Sequence, residues 1–251
     1  MNPFKLILVI PARYNSTRFP GKPLTIINEK PMLLRVYENA KNVANVEKVI
    51  VATDSSIIMD YCEANGIDSM MTSSKHEVML SRIVEVAGKI HSNFYIVLNG
   101  DEPLLESINI SKITNGLDLT TSNPYIVRNL VSRVIIYNKS QLLDTTDIKI
   151  AVNVSNKILY MSRGVIPFSK TGVINSYIKH IGCYLLSRES LTFFDSVSPG
   201  SLELQEDIDL LRFLENFRQV EAIEITTRSV SVDIEEDVIE VTNILNEIDG
   251  R

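Results

Sequence analysis

The sequence is poor in cysteine and has no excess of positive charge, and both features exclude classes of protein. The chain of 251 residues has two cysteines, Cys62 and Cys183, and no CxxC pair. We therefore expect neither a disulfide framework nor a zinc site, and a reducing cytoplasm fits this composition. The formal net charge is -6, so no global basic field attracts nucleic acid or an anionic membrane. Any phosphate site must come from a local cluster of cations.

Long apolar runs are also missing. The apolar stretch within MNPFKLILVIPAR is too short for a signal sequence and far too short to span a bilayer. We interpret residues 6–10 as a buried first strand and expect a cytoplasmic protein without a membrane segment. Neither the phosphate loop GxxxxGK(S/T) nor the nucleophile elbow GxSxG is present. The histidines lack metal-ligand spacing; they are His76, His91 and His180.

Strand-like and helix-like segments alternate over the first hundred residues. Hydrophobic residues make up 45% of the chain and charged residues 22%, as in an ordinary globular protein. Predicted strands cover residues 6–10, 48–52, 67–71 and 94–98, and predicted helices cover residues 32–44, 56–64 and 78–90. This order predicts an α/β fold, with a mostly parallel sheet and helices on both faces.

The second half of the chain is richer in strands. Strands are predicted at residues 130–137, 149–154, 158–161, 178–186 and 220–225, and helices at residues 191–196, 206–216 and 235–248. No linker, repeat or low-complexity segment interrupts the sequence. We therefore predict one domain over residues 1–251, in which the second half adds an antiparallel extension to a mixed sheet.

Polar residues follow three of the predicted strands. They are residues 13–22 after the first strand, Thr53 and Asp54 after the second, and residues 99–102 after the fourth. In open parallel sheets, ligands bind beyond the carboxyl ends of the strands. Because the topology brings these ends to one edge, we expect a binding site there.

The loop PARYNSTRFPGKPL, residues 11–24, is the first candidate for ligand binding. Arg13, Arg18 and Lys22 place three cations close together, and Gly21 permits close backbone approach. Arginine binds phosphate oxygens in a planar fork and lysine binds them as a point charge, so such a loop can surround a triphosphate. A solvated basic turn is the competing interpretation, but the position after a buried strand favours the phosphate site.

The segment NGDEP, residues 99–103, is the second candidate. An acidic pair that leaves a buried strand suits Mg²⁺, which prefers a few carboxylates plus phosphate oxygens. A strand-end turn is the alternative, since Gly, Asp and Pro are also turn residues. Asp233 precedes the last predicted helix, and the residues alone favour an N-cap there over a second metal ligand. We interpret one acidic cluster as a solvated helix face: Glu203, Glu206, Asp207 and Asp209.

Together these motifs resemble one known family. IPARYNSTRFPGKPL closely resembles the N-terminal signature of the 3-deoxy-manno-octulosonate (Kdo) cytidylyltransferases, the CMP-Kdo synthetases. The resemblance runs along almost the whole chain, and the motifs agree in order and spacing. NGDEP is similar to the family's QGDEP, SRGVIPF to SRxPIPW, HIGCY to HxGxY, LELQEDIDLLR to LExxExLEQLR, and SVDIEEDVIEV to VDTPEDLE.

The resemblance implies a three-layer α/β/α, Rossmann-like nucleotidyltransferase fold and a homodimer formed through the strand-rich extension at residues 125–190. It also implies a Mg²⁺-dependent transfer from CTP to Kdo or a close sugar acid such as 8-amino-Kdo, with release of pyrophosphate, for lipopolysaccharide or capsule synthesis. Carried over by position, Asp101 and Asp233 are the implied metal ligands, and with Lys22 they are the implied catalytic residues. This replaces the N-cap interpretation of Asp233.

The resemblance also implies two sets of substrate contacts. The implied CTP-binding residues are Pro11, Ala12, Arg13, Ser16, Arg18, Lys22, Asn99, Gly100 and Asp101. The acceptor is implied to be a 2-keto-3-deoxy sugar acid, bound by Arg82, Arg163, His180, Tyr184, Glu206 and Asp209.

Two segments depart from the family pattern. The family's HxxSGT(D/E)R, or a close variant of it, is here KHEVMLSR, residues 75–82, so residues 78–81 replace its small, polar core while His76 and Arg82 are kept. Asp209 and Leu210 stand where the family has Glu-Gln. Three hypotheses stay open: a synthetase for CMP-Kdo or a close relative, the same chemistry on a different acidic sugar, and a non-catalytic nucleotide-binding homologue.

Overall fold

The computed structural model describes residues 5–15, 19–117, 123–137 and 139–250. Its strands are β1 (Leu6–Ala12), β2 (Ile26–Ile27), β3 (Lys30–Pro31), β4 (Lys48–Thr53), β5 (Ser69–Met71), β6 (Phe94–Leu98), β7 (Val127–Ile135), β8 (Lys149–Val152), β9 (Ile158–Ser162), β10 (Ser176–Ser187) and β11 (Glu221–Ile225). Its α-helices are α1 (Met32–Lys41), α2 (Ser56–Ala64), α3 (Met79–Lys89), α4 (Ser107–Ser111), α5 (Lys139–Leu143), α6 (Arg188–Ser196), α7 (Ser201–Glu206), α8 (Leu211–Glu215) and α9 (Glu235–Asp249).

The central sheet is mixed. Its strands are ordered β11–β7–β10–β6–β1–β4–β5, and β8 pairs with β10 and β9. The run from β6 to β5 is parallel, while β10 lies antiparallel between β6 and β7. The strands β8 and β9 extend the sheet in antiparallel pairs, and β11 runs parallel to β7. The predicted mostly parallel sheet with an antiparallel extension is confirmed.

Helices cover both faces of this sheet, because alternate residues of the inner strands enter separate cores. From β1, Ile7 and Val9 belong to a buried cluster with residues of α3, α6 and α8. Leu6 and Leu8 belong to a second cluster with residues of α1, α2 and α4. Both faces of the strand are therefore apolar, and the predicted α/β/α layering is confirmed.

A third and smaller cluster fastens α9 near the ends of β1 and β6. Val232 and Val241 share it with Phe19, Ile27 and Met32. The backbone N of Val232 also donates to the backbone O of Asp101 at 2.9 Å. The segment before α9 is thereby held against the loop that follows β6.

One predicted helix is wrong. Within residues 206–216 only Leu211–Glu215 form a helix, α8, because α7 ends at Glu206 and Asp207 after it has a left-handed backbone with φ of 54°. A continuous helix cannot pass through such a residue.

The loop that follows β1 also differs from prediction, since Lys22–Leu24 form one 3-10 turn where no regular element is predicted. Within the described ranges, no helix is both long and apolar enough to cross a bilayer.

Candidate active site

The polar segments that follow β1 and β4 meet at one edge of the sheet. Nη2 of Arg82, on α3, lies 2.8 Å from Oδ2 of Asp54, directly after β4. Nη2 of Arg13, directly after β1, donates to the backbone O of His76 at 2.5 Å. Burial and the nearby charge of Arg82 lower the pKa of Arg13, while Asp54 opposes that shift. The predicted convergence of these strand ends is confirmed.

Lys22 lies between the two carboxylates implied as metal ligands. Its Nζ is 2.8 Å from Oδ2 of Asp101 and 3.7 Å from Oδ1 of Asp233. The same Nζ donates to the backbone O of Val232 at 2.8 Å. The side chains of Lys22, Asp101 and Asp233 are 15%, 25% and 22% exposed, so solvent reaches the group.

This carboxylate pair fits a divalent cation that is completed by substrate. Mg²⁺ is usually held by one or two carboxylates together with waters and substrate phosphates, rather than by an all-protein cage. Asp101 and Asp233 offer two carboxylates near one ammonium group, on a surface that is open to ligand. The two carboxylates therefore fit a Mg²⁺ ion whose other ligands come from water and substrate, and the metal site stays a prediction.

Asp233 is not the N-cap of α9. The helix begins at Glu235, and the carboxylate of Asp237 accepts hydrogen bonds from the backbone N of Asp233 at 2.7 Å and of Ile234 at 3.0 Å. Asp237 provides the side-chain hydrogen-bond acceptor at the start of the helix, and the side chain of Asp233 lies near Lys22 instead. The interpretation from the residues alone was wrong, and the metal role of Asp233 stays a prediction.

The loop after β6 packs tightly against the end of β1. A Cβ at Gly100 would lie 3.0 Å from the backbone O of Pro11, so a side chain there has almost no room. This contact places two of the implied CTP-binding residues side by side. Ala12 is buried next to them. Two more implied CTP ligands, Ser16 and Arg18, lie outside the described residues.

Asn99 packs on the other side of the same loop, against β10. Its backbone N donates to the backbone O of Gly182 at 2.8 Å. A Cβ on Gly182 would come within 2.9 Å of the Asn99 Cβ, so only glycine allows this approach. Within the described residues, Asn99 Oδ1 is buried without a hydrogen-bond partner. An amide group is therefore held at the site with acceptor capacity to spare.

Glu102, the second carboxylate of the acidic pair in NGDEP, is not exposed to a metal ion as that pair predicts, but is buried and hydrogen-bonded within the protein. Its Oε1 accepts from the backbone N of Gly182 at 2.9 Å and from Oγ of Ser231 at 3.1 Å. Its Oε2 accepts from Oγ of Ser229 at 2.7 Å. The residue is 2% exposed, and burial raises the pKa of its carboxyl group.

The direction of one hydrogen-bond chain on β10 can be worked out. Nδ2 of Asn129 donates to two backbone carbonyl groups of β10, so its Oδ1 must accept from Nδ1 of His180, 2.9 Å away. Nε2 of His180 then has no proton and accepts from the hydroxyl of Tyr184 at 3.1 Å. Burial above all lowers the pKa of His180 to about 3, so the ring is neutral at neutral pH.

Arg163 and Glu206 hold each other at the end of β9. The backbone N of Arg163 donates to Oε2 of Glu206 at 2.9 Å, and its Nε donates to the backbone O of Glu206 at 2.8 Å. Burial alone would raise the pKa of Glu206, but hydrogen bonds from Ser162 and the Arg163 backbone lower it overall. The side chain of Arg163 stays 32% exposed and accessible to an anion.

Two other residues that the resemblance implies as ligands of the sugar acid form hydrogen bonds within the protein. Arg82 is fully buried and donates to Asp54 and Thr72. Oδ2 of Asp209 accepts from the backbone N of Leu80 at 3.1 Å, and burial raises the pKa of Asp209 to about 6. The implied contacts of Arg82 and Asp209 with the sugar acid stay predictions.

The acidic cluster of residues 203–209 is not a solvated helix face. Glu203 is 2% exposed, and its Oε1 lies 2.6 Å from Nη2 of Arg212. Asp207 is the one member whose side chain is mostly exposed, at 88%. The pattern was misread because the cluster spans a helix end and a reversal of the chain.

Fold and site together define an α/β nucleotidyltransferase. A family model described as cytidylyltransferase matches residues 7–223. The 3-deoxy-manno-octulosonate cytidylyltransferase of Escherichia coli is 33% identical over 229 residues and 91% of each chain. That of Flavobacterium johnsoniae is 33% identical over 247 residues, which cover 97% of this chain and 100% of the relative.

A solved structure agrees with these relatives. CMP:2-keto-3-deoxy-manno-octonic acid synthetase complexed with CTP matches with a TM-score of 0.87 at 31% identity, over 97% of this chain and 99% of that one. The chain therefore belongs to the cytidylyltransferase family, within the group of 3-deoxy-manno-octulosonate cytidylyltransferases.

Proposed function

We propose that this protein transfers the cytidylyl group of CTP to 3-deoxy-manno-octulosonate, or to a close sugar acid such as 8-amino-Kdo, and releases pyrophosphate. The product, a CMP-sugar, serves lipopolysaccharide or capsule synthesis. The observation that carries the proposal is the position of Lys22 between Asp101 and Asp233 at the ligand-binding edge of the sheet. The relatives that bear this enzyme name, and the similar structure complexed with CTP, support it.

In the proposed reaction, the anomeric hydroxyl oxygen of the acid attacks the α-phosphorus of CTP. The bond from that phosphorus to the oxygen that bridges it to the β-phosphorus breaks, pyrophosphate leaves, and the proton of the attacking hydroxyl passes to solvent. Such a reaction needs little covalent chemistry from the protein, so positioning and charge stabilisation account for most of the catalysis. Lys22 and Arg13, both in the segment after β1, supply positive charge toward the phosphates.

Asp101 and Asp233 hold Mg²⁺ in this proposal. When bound, the ion supplies Lewis-acid polarisation and a template for the reacting oxygens. Lys22 offsets the repulsion between the two carboxylates when they lie close together. Asn99 and Gly100 border the nucleotide, because they leave β6 immediately before Asp101.

On the acceptor side, Arg163 pairs with the carboxylate of the sugar acid. His180 and Tyr184 face the sugar hydroxyls. Because Tyr184 donates its proton to the neutral ring of His180, its oxygen is left to accept a hydrogen bond from a sugar hydroxyl. Glu206 positions Arg163 through the two hydrogen bonds between them.

A second copy of the chain covers the strand-rich extension in this proposal. Large exposed apolar side chains recur within residues 135–173: Ile135, Tyr137, Leu143, Val154, Leu159, Phe168 and Val173. Exposed apolar patches often mark protein interfaces. Phe168→Asp should convert a dimer into a monomer in light scattering, whereas Phe217→Asp, on an equally exposed side chain outside the extension, should not.

We assign the enzyme to the cytoplasm, where the buried thiols of Cys62 and Cys183 stay reduced.

Pyrophosphate release from CTP and Mg²⁺, measured with a panel of 2-keto-3-deoxy sugar acids, tests the proposed function. Release with Kdo or 8-amino-Kdo supports it, and release only with another acid assigns the same chemistry to a different acceptor. Binding of CTP without turnover on any acid identifies a non-catalytic homologue. Asp101→Asn should lower turnover about a hundredfold or more with the fold intact, and Asp60→Asn, on the surface of α2, is the matched control.

A further inference from the structure

We infer that Glu102 is a positioning residue that sets the distance between Asp101 and Asp233, and with it the geometry of the metal–triphosphate site. The inference rests on the proposed function. Glu102 accepts hydrogen bonds from one backbone N–H and two hydroxyl groups, which belong to β10 and to the segment before α9. A single buried carboxylate thereby joins both of these to the loop that carries Asp101.

On one side, Glu102 fixes an irregularity in β10. The pairing of β10 with β7 shifts register between His180 and Tyr184. At this irregularity, the backbone N of Gly182 donates to Glu102, while its backbone O accepts from the backbone N of Asn99. Glu102 therefore ties the strand that carries the implied acceptor ligands to the loop after β6.

On the other side, Glu102 fixes the segment that leads to Asp233. The hydroxyl groups of Ser229 and Ser231 both donate to its carboxylate, at 2.7 Å and 3.1 Å. Val232 is the next residue. Its backbone N donates a hydrogen bond to the backbone O of Asp101, and its backbone O accepts one from Nζ of Lys22. Residues 229–233 are thus tied to the loop of residues 99–102 through both side-chain and backbone contacts.

Loss of the carboxylate should move the two metal-binding carboxylates relative to each other. Gly182, Ser229 and Ser231 would each lose a hydrogen-bond acceptor. A donor left unsatisfied inside a protein is costly, so the segments are expected to shift. A displacement of about 1 Å near reacting groups lowers rates by about a hundredfold. Because the three donors are neutral groups, the contacts require acceptor geometry and do not require the negative charge.

This distinction sets the choice of variants. Glu102→Gln keeps an oxygen for Gly182 and Ser231, and its amide group can donate to the hydroxyl of Ser229, which also accepts. Glu102→Ala removes every contact. Ser229→Ala combined with Ser231→Ala removes only the link to the segment before Asp233. Ser190→Ala, at a buried hydroxyl on α6 far from this segment, is the matched control for the serine variants.

The experiment measures Mn²⁺ binding in the presence of CTP by electron paramagnetic resonance, together with kcat and KM for CTP and the acid. We expect Glu102→Ala and the double serine variant to weaken Mn²⁺ binding about tenfold and lower kcat about a hundredfold. Glu102→Gln and Ser190→Ala should stay within about threefold of the wild type. If Glu102→Ala does not fold, the double serine variant alone decides.

Wild-type Mn²⁺ binding and kcat in folded Glu102→Ala or in the double serine variant would overturn the inference. So would a loss in Glu102→Gln equal to that in Glu102→Ala, because the charge would then matter more than the geometry. Failure of the proposed function has a different signature: the wild type would release no pyrophosphate with any acid, whatever the Mn²⁺ binding of the variants.

Discussion

The carboxylate of Asp209 caps α3 from a distant part of the chain, since its Oδ2 accepts from the backbone N of Leu80 at 3.1 Å. The first N–H groups of a helix have no partner within the helix, and a side-chain acceptor usually satisfies one of them. Val78, at the N-cap position of α3, has no such acceptor. Asp209 and Leu80 both stand where the chain departs from its family pattern, so the two departures meet in one contact.

Removing this cap should destabilise the protein. We expect Asp209→Ala to lower the free energy of unfolding by about 1 kcal/mol, the usual cost of a lost N-cap. Asp209→Asn should cost less, because its amide oxygen can still accept from Leu80. Urea unfolding measures both, and Asp60→Asn, on an exposed side chain of α2, is the control. Equal stability of Asp209→Ala and wild type would show that Leu80 finds another acceptor.

Asp209 should also make stability depend on pH. Burial raises its pKa from 3.8 to about 6, helped by Glu203 and Asp207 and opposed by Leu80 and Arg212. The folded state therefore binds the proton more tightly than the unfolded state, so this contribution is complete below pH 4 and is lost as the pH rises through 6. The loss is at most about 3 kcal/mol.

The measurement compares wild type with Asp209→Asn by urea unfolding from pH 4 to pH 7. The stability difference between them should change in favour of the variant as the pH rises, because asparagine does not titrate. Parallel curves over this range would contradict the raised pKa.

The sequence predicted the sheet and the edge where the site lies, because both follow from local patterns. Continuous apolar runs identify strands covered on two faces, and the polar residues after β1, β4 and β6 mark the ends that meet. The acidic pair of residues 101–102 could be selected because it closely follows a buried strand, and the family resemblance then distinguished Asp101 from its neighbour. The same reasoning failed at residues 206–216, where the left-handed backbone of Asp207 has no signal in the helical periodicity.

The role of Glu102 could not be predicted in this way. Its partners are Gly182, Ser229 and Ser231, and contacts so distant in sequence leave no periodic trace. The same holds for Asn129, whose amide group decides which nitrogen of His180 carries the proton. An asparagine in a predicted buried strand still indicates a hydrogen-bonded site, because a buried amide group needs partners.

Gly182 should tolerate no side chain. A Cβ there would lie within 2.9 Å of the Asn99 Cβ, so Gly182→Ala must displace Asn99 and the loop that leads to Asp101. We expect kcat to fall about tenfold or more, because a small shift of a catalytic group is costly. Gly88→Ala is the control: it lies in α3 with nothing within 4 Å of its Cβ, and it should stabilise the protein by about 0.5–1 kcal/mol. Wild-type kcat in Gly182→Ala would show that the loop adapts without loss.

His180 should remain neutral, with its proton on Nδ1, from pH 8 to pH 5. Burial lowers its pKa to about 3, and Asn129 Oδ1 requires a donor at Nδ1. Nitrogen-15 spectra of the histidine rings should therefore show this tautomer for His180, unchanged from pH 8 to pH 5. Asn129→Ala removes the acceptor and should produce a mixture of tautomers. A protonated ring or an Nε2–H tautomer in the wild type at neutral pH would contradict this hydrogen-bond arrangement. Tyr184 would then have to accept from His180 and could no longer offer the same oxygen to a sugar hydroxyl.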